Sequence, residues 1–87
     1  MKKFTYVITD EIGLHARPAG MLVKKAARFS CEIIIKNCTN EKTTDAKKLF
    51  GVMGLSIKHN DPVEITFSGS DEEQAFLELQ QFFEENL

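Results

Sequence analysis

Two segments of this chain carry apolar residues at every second position, and this pattern limits the possible folds most strongly. Residues 31–36 alternate in the way a half-buried strand does, and residues 63–67 place three apolar side chains on one side and two polar ones on the other. A period of two predicts strands that each bury a single face. Residues 4–8 are aromatic and β-branched and predict a third strand, and a short fourth strand is expected near residues 41–44.

The segments between the strands follow the helical period instead. From about Arg17 to Phe29, apolar residues recur three and four positions apart, and cationic residues in the last turns favour the helix dipole. The predicted buried positions of this helix are Ala19, Leu22, Val23, Ala26 and Ala27. Because two glycines weaken the segment that follows Asp45, we expect only a short helix there, capped by Asp45 and running to about Met53.

A last helix is predicted to open at Ser70. Glu73 stands three residues after Ser70, the spacing of a capping box, and Asp71 and Glu72 place negative charge at the positive end of the helix. The predicted buried stripe of this helix consists of Ala75, Phe76, Leu79, Phe82 and Phe83.

The predicted element order is β-α-β-β-α-β-α, which belongs to the α+β class. Strands with one polar face favour one antiparallel sheet with all helices packed on the same side, and the split β-α-β topology is the natural candidate. The 87 residues suit a single domain spanning residues 1–87. Such an open-faced architecture offers no deep cleft, so we expect a protein that docks onto others rather than a self-contained enzyme.

The charge distribution bears on partners and location. The chain carries a net charge of −2, which argues against general nucleic-acid binding, although residues 1–48 hold ten Lys and Arg against five Asp and Glu. This basic first half favours an acidic partner surface, or is simply a solvated face. The first residues lack a signal-peptide core, and no apolar run approaches the ~18 residues of a membrane span. We therefore expect a cytoplasmic protein that is not inserted in a membrane.

The two cysteines do not suggest a metal site or a disulfide. Cys31 alternates with isoleucines and is predicted to be a small buried hydrophobe, whereas Cys38 lies in a polar loop. Neither belongs to a CxxC pair or has a histidine at ligand spacing. Unpaired thiols are typical of a reducing cytosol, and no cofactor or metal is expected.

One short stretch carries the chemistry. His15 follows a turn-forming glycine and precedes Arg17 and Pro18, and Pro18 suits the first turn of a helix. The helix start offers free N–H groups and a positive dipole end, a combination that binds phosphate. The dipole and Arg17 both disfavour a charged imidazole, so we expect a neutral, nucleophilic ring. After attack on a phosphoryl donor, the same groups stabilise the phosphorylated ring.

Alternatives remain at this point. A histidine at a helix start is often only a surface residue, and His59, in a hydrophilic turn, is predicted to be such a residue. A small metabolic enzyme is a weaker alternative, because no second acid–base group is expected near His15 and no cofactor motif is present.

The residues around His15 also resemble a known family. The sequence Gly13-Leu14-His15-Ala16-Arg17-Pro18-Ala19 is similar to the active-site signature of the HPr family, the histidine-containing phosphocarriers of the bacterial sugar phosphotransferase system. The stretches 45–47 and 51–55 are similar to further segments shared by that family. The resemblance covers nearly the whole chain and implies an open-faced, four-stranded antiparallel sheet with three helices on one side.

The resemblance implies specific roles. His15 is expected to accept phosphate on its δ1 nitrogen from phosphorylated enzyme I, which phosphoenolpyruvate charges, and to pass it to the IIA domain of a sugar-specific enzyme II. Arg17 is expected to supply the companion charge, and Ala16 and Arg17 the stabilising backbone N–H groups. A monomer is the default expectation.

The segment after Lys48 is unusually apolar. It holds more apolar side chains than one face of a short helix can bury, so some should be exposed. The resemblance implies that this helix and the start of the first helix form the partner-binding surface. The residues nominated for it are Leu49, Phe50 and Met53, with Gly20, Met21 and Lys24 beside them, and Lys25 and Arg28 as further rim charges. Simple core packing is the alternative for each apolar residue.

Lys48 departs from the family pattern. Gram-positive members have a regulatory serine at this position, and lysine cannot form a phosphate ester. Regulation by the serine kinase is therefore doubtful. A regulatory, protein-binding paralogue on the same fold is the alternative to a carrier of phosphoryl groups, although such a module has no need of His15.

Overall fold

A computed structural model describes all 87 residues as one sheet covered by three helices. The strands are β1 (Lys2–Val7), β2 (Glu32–Asn37), β3 (Lys42–Asp45) and β4 (Pro62–Ser68), and the helices are α1 (Ala16–Ala26), α2 (Leu49–Gly54) and α3 (Glu72–Asn86). Every strand pairing is antiparallel, and the spatial order is β1-β4-β2-β3. The predicted α+β architecture and element order are confirmed. None of the three helices is long and apolar enough to cross a membrane.

Strand register sorts the side chains onto the two faces of the sheet. Phe4 lies opposite Ile65, which in turn lies opposite Ile35, and all three are buried under the helices. The adjacent positions Thr5, Glu64 and Lys36 form a row on the other face and keep contact with solvent. The period-two pattern therefore identified the buried face of the central strands correctly.

Aromatic rings of α3 fill the space above β1 and β4. Phe4 packs edge-to-face against Phe76 and Phe83, with ring centroids 5.7 and 5.6 Å apart. Tyr6 meets Phe83 at 5.7 Å, and Phe67 meets Phe76 at 5.8 Å. Such pairs stabilise a fold beyond the burial of their surface. They fix the end of α3 against β1, which matters for the site described below.

The predicted helix starts need correction. The cap of α2 is Lys48 rather than Asp45, whose carboxylate instead accepts the Lys47 N–H at 2.8 Å in a turn. The predicted capping box of Ser70 and Glu73 is also wrong, because α3 begins after Asp71. Asp45 has thus found a different backbone partner, as short polar side chains readily do near helix starts.

The end of α1 was predicted three residues too late. The chain leaves the helix in a tight turn in which the Arg28 N–H donates to Lys25 and the Phe29 N–H donates to Ala26. Ala27 is consequently exposed rather than buried. Helical periodicity continues through the turn because a 3₁₀ turn nearly matches it, so the sequence pattern does not mark the boundary.

Three elements meet where α1 ends. Asp71 accepts the N–H groups of Ser30 and Cys31 at 2.7 and 2.8 Å, and Lys47 Nζ donates to the carbonyls of Phe29 and Cys31 at 2.7 and 2.8 Å. Cys31 is buried, as predicted, and burial followed by its hydrogen bond to Asp71 raises the pKa of its thiol to about 11. This end of α1 is a structural junction, and the candidate site lies at the other end.

Candidate phosphorylation site

The loop before α1 is built to present His15 at a fixed place. The Asp10 carboxylate accepts the Ile12 N–H at 2.8 Å, and Gly13 adopts φ +82°, a conformation that favours glycine. The buried Leu14 donates its N–H to the Ile57 carbonyl at 3.1 Å. Since Leu14 is anchored in the core, the next side chain, His15, is held at the surface and is half-buried.

His15 is the residue that caps α1. Its backbone is extended, with φ −87° and ψ −176°, and its carbonyl accepts the Ala19 N–H at 2.9 Å. The imidazole makes no capping hydrogen bond. The N–H groups of Ala16 and Arg17 have no acceptor within the chain, as expected for the first positions of a helix. Two free donors and the positive end of an eleven-residue helix therefore lie beside the ring.

A shallow cavity of about 260 Å³ opens at this helix start. Its lining residues are His15, Arg17, Pro18 and Met21 of the α1 region, with Asp10 from the preceding loop and Glu85 and Asn86 from the end of α3. Arg17 is exposed and has no carboxylate within ion-pair distance. The structure thus brings together the predicted site residues His15 and Arg17 around one open cavity.

The expectation that no second acid–base group lies near His15 is wrong. Asp10 and Glu85 line the same cavity. The end of α3 reaches it because the Leu87 carbonyl accepts hydrogen bonds from Thr9 Oγ1 at 2.8 Å and the Asp10 N–H at 2.9 Å. No local pattern marks residues 85 and 86 as neighbours of residue 15, so only the packing of α3 on β1 reveals them.

His59 is exposed, as predicted, but it does touch the site loop. Its Nδ1 lies 3.3 Å from the Asp10 carbonyl oxygen. No cluster of three or more His, Cys, Asp or Glu side chains is arranged to hold a metal ion.

An exposed apolar surface adjoins the cavity. Phe50 on α2 is 87% exposed, and the neighbouring side chains of Leu49, Met53 and, on α1, Met21 are 37%, 40% and 43% exposed. We call these four residues the apolar patch. The other apolar residues of this segment, Val52 and Leu55, are buried. The structure therefore places the nominated residues at the surface and assigns core packing to the remainder.

Basic residues border the apolar patch. Lys24 and Arg28 are exposed and form no ion pair, whereas Lys25 Nζ lies 3.7 Å from a Glu78 carboxylate oxygen. Gly20 is half-buried on α1, and α1 packs against α2. Lys48, the cap of α2, is also exposed. Positive charge thus lies beside Met21 on α1 and at the start of α2.

Comparison with known proteins decides the family. The family model described as "PTS HPr component phosphorylation site" matches residues 2–85. The chain belongs to the HPr family. Phosphocarrier protein HPr of Mycoplasma capricolum is 42% identical over 81 residues, which cover 93% of this chain and 89% of that protein.

Solved structures of the HPr family share the fold. A histidine-containing phosphocarrier protein of Mycoplasma superposes with a TM-score of 0.89 at 41% identity and covers 93% of this chain and 90% of that one. Crh, the catabolite repression protein of Bacillus subtilis, superposes with a TM-score of 0.75 at 28% identity, covers 100% of this chain and 98% of that one, and is described as a swapped dimer. The implied open-faced sheet with three helices is confirmed, and the chain is a phosphocarrier of the phosphotransferase system by family.

Proposed function

We propose that His15 accepts a phosphoryl group from phosphorylated enzyme I and passes it to the IIA domain of a sugar transporter. The observation that carries this proposal is the position of His15 at the start of α1, half-buried, beside Arg17 and two N–H groups without acceptors. A phosphoryl group on the ring brings roughly two negative charges, and each of these groups stabilises that charge.

The proposed chemistry is a direct exchange of one N–P bond for another. The Nδ1 lone pair of His15 attacks the phosphorus of the donor phosphohistidine, a new N–P bond forms, and the donor ring leaves with its electron pair. Transfer to the IIA domain repeats the exchange with His15 as the leaving group. The Arg17 guanidinium and the N–H groups of Ala16 and Arg17 neutralise the phosphoryl oxygens during both steps. The protein is a carrier, and no net reaction occurs on it alone.

The apolar patch is the proposed docking surface for both partners. Its side chains are apolar and exposed, Met21 also lines the cavity, and such residues form the centre of protein interfaces. Gly20 lets a partner approach α1 closely, and Lys24 and Arg28 at the rim attract an acidic partner and raise the association rate. We infer that residues 1–87 act as one HPr-like domain, and we propose that this domain is monomeric and cytoplasmic.

The test is phosphorylation with phosphoenolpyruvate and enzyme I. We expect the mass to rise by one phosphoryl group, and the product to be acid-labile and alkali-stable, as a phosphohistidine is. His15→Ala should take up none and stay folded, because the side chain is only half-buried. His59→Ala is the matched control and should be phosphorylated normally. Uptake by His15→Ala, or none by the wild type, would refute the proposal.

Lys48 bears on regulation. It occupies the start of α2, where the resemblance places the regulatory serine, and its charge is opposite to that of a phosphoserine. We propose that serine-kinase regulation is absent from this chain, and a kinase reaction on the wild type that modifies any serine would contradict this. The Crh-like regulatory alternative is less favoured, because the relatives named HPr have the higher identity and His15 is presented for chemistry.

A further inference from the structure

We infer that two asparagines at the turn between β2 and β3, Asn37 and Asn40, are positioning residues. They fix the orientation of the docking helix α2 relative to the loop that carries His15. The link between the turn and both functional elements is the connection after α2, residues 55–61, which we call the connecting segment. This inference rests on the proposed function, because it gives the arrangement a use in docking.

The two asparagines converge on one atom at the end of α2. The carbonyl oxygen of Leu55 accepts Asn37 Nδ2 at 2.9 Å and Asn40 Nδ2 at 3.0 Å. Leu55 terminates α2 as its C-cap. The last carbonyls of a helix have no partner inside the helix, and here two amide groups from a distant turn supply it.

Asn37 is the one buried polar residue of the chain, with 1% of its surface exposed. Its Oδ1 accepts the Thr39 N–H at 3.0 Å, and its Nδ2 also lies 3.4 Å from Asp61. Asp61 in turn accepts Thr39 Oγ1 at 2.9 Å and the Lys58 N–H at 2.8 Å. The turn is therefore tied to the connecting segment at its beginning, Leu55, and at its end, Asp61.

The same connecting segment also forms hydrogen bonds with the chain on the N-terminal side of His15. The Ile57 carbonyl accepts the Leu14 N–H at 3.1 Å, and the Asn60 N–H donates to the Ile8 carbonyl at 2.8 Å. The backbone at Gly13 lies so close that a Cβ there would stand 2.6 Å from the Ile57 oxygen. One short segment thus contacts the residue before His15 on one side and the end of α2 on the other.

α2 depends on such external support. It has only six residues, and its cap Lys48 provides no side-chain hydrogen bond at the other end. A helix this short is unstable on its own in water, so tertiary contacts determine its orientation. Since α2 carries three residues of the apolar patch, the asparagines determine how the patch is presented relative to His15. Their loss should weaken docking and leave the transfer step itself unchanged.

The test uses Asn40, which is exposed and can be changed without creating a buried cavity. Asn40→Ala removes the donor to Leu55. Asn40→Asp also removes this donor but keeps the oxygen that accepts the Lys42 N–H at 3.0 Å. For both variants we expect the KM for phosphorylation by enzyme I to rise about fivefold, the factor that matches the net value of one hydrogen bond, with kcat unchanged. Amide hydrogen exchange at Leu14 should also become faster.

Asp71→Ala is the control for a purely structural effect. It removes two hydrogen bonds to backbone N–H groups at the opposite end of α1, so it should lower stability and leave KM unchanged, and any faster amide exchange should be shared by the core amides rather than confined to Leu14. All measurements are made where each variant is fully folded.

The outcomes separate this inference from the proposed function. If KM rises for Asn40→Asp but not for Asn40→Ala, the effect comes from the added negative charge and not from the lost hydrogen bond, and the inference is overturned. Equal KM and equal Leu14 exchange in the wild type and both Asn40 variants would also overturn it. If the wild type is not phosphorylated at all, the proposed function fails, and Leu14 exchange alone then decides whether the asparagines support the His15 loop.

Discussion

Phe50 and Val52 stand two residues apart on α2 and should respond to truncation in opposite ways. Phe50 is 87% exposed and Val52 is 1% exposed. Phe50→Ala removes little buried surface, so we expect the free energy of unfolding to change by less than about 0.5 kcal/mol. Val52→Ala deletes two buried methyl groups and leaves a cavity, so we expect a loss of about 2 to 3 kcal/mol.

Docking should show the reverse order. A large apolar side chain at the centre of an interface typically contributes about 2 kcal/mol, which corresponds to a roughly 30-fold rise in KM for enzyme I when it is removed. Folded Val52→Ala keeps the exposed surface and should change KM much less. The assays are urea denaturation and steady-state phosphorylation with enzyme I. If Phe50→Ala loses as much stability as Val52→Ala, or keeps the wild-type KM, the assignment of the apolar patch as the docking surface is wrong.

Three further predictions concern the backbone, the thiols and acid. Gly13→Ala should lower the free energy of unfolding by at least about 2 kcal/mol, because Gly13 has a positive φ and lies against the Ile57 oxygen. Gly20→Ala has open space around it and should raise the free energy of unfolding by about 0.5 to 1 kcal/mol. Urea midpoints of the two variants that shift in the same direction would contradict this. A thiol reagent should label Cys38 quickly and Cys31 slowly in the native protein, because the pKa of Cys31 is raised to about 11. Equal labelling rates of the two cysteines, measured by mass spectrometry, would disprove this prediction. The N–H of Lys58, with Thr39 and Asn37, lowers the pKa of Asp61 below its ordinary value of 3.8, so its ionised carboxylate stabilises the fold above that pH and less as the pH falls further. Asp61→Asn should therefore be less stable than the wild type at neutral pH, and this difference should shrink progressively as the pH falls below 3.8 in acid titrations followed by circular dichroism.

The order and type of the elements could be predicted from the sequence because both are local properties. The alternation around Ile65 predicts the buried face of β4, and the helical spacing around Leu22 predicts that of α1. The structure buries both faces. Helix boundaries were less accurate. Asp45 and Ser70 are good capping residues by type, but tertiary context gave α2 and α3 other caps.

The chemical core of the site was also predictable, because His15, Arg17 and the helix start are adjacent in sequence. The rest of the site joins residues that are far apart in the chain. Asp10 and Glu85 meet in one cavity only because α3 packs on β1. The choice between exposed Phe50 and buried Val52 likewise depends on which side of α2 faces α1 and the sheet.

The sequence by itself determined the strand and helix pattern and the position of the candidate histidine at a helix start, because periodicity and the dipole of a helix act over a few residues. Only the tertiary structure decided which carboxylates surround His15, which side chains form the apolar patch, and which asparagines hold the end of α2. Those contacts join segments that are tens of residues apart, and their geometry exists only once the sheet and helices have packed together.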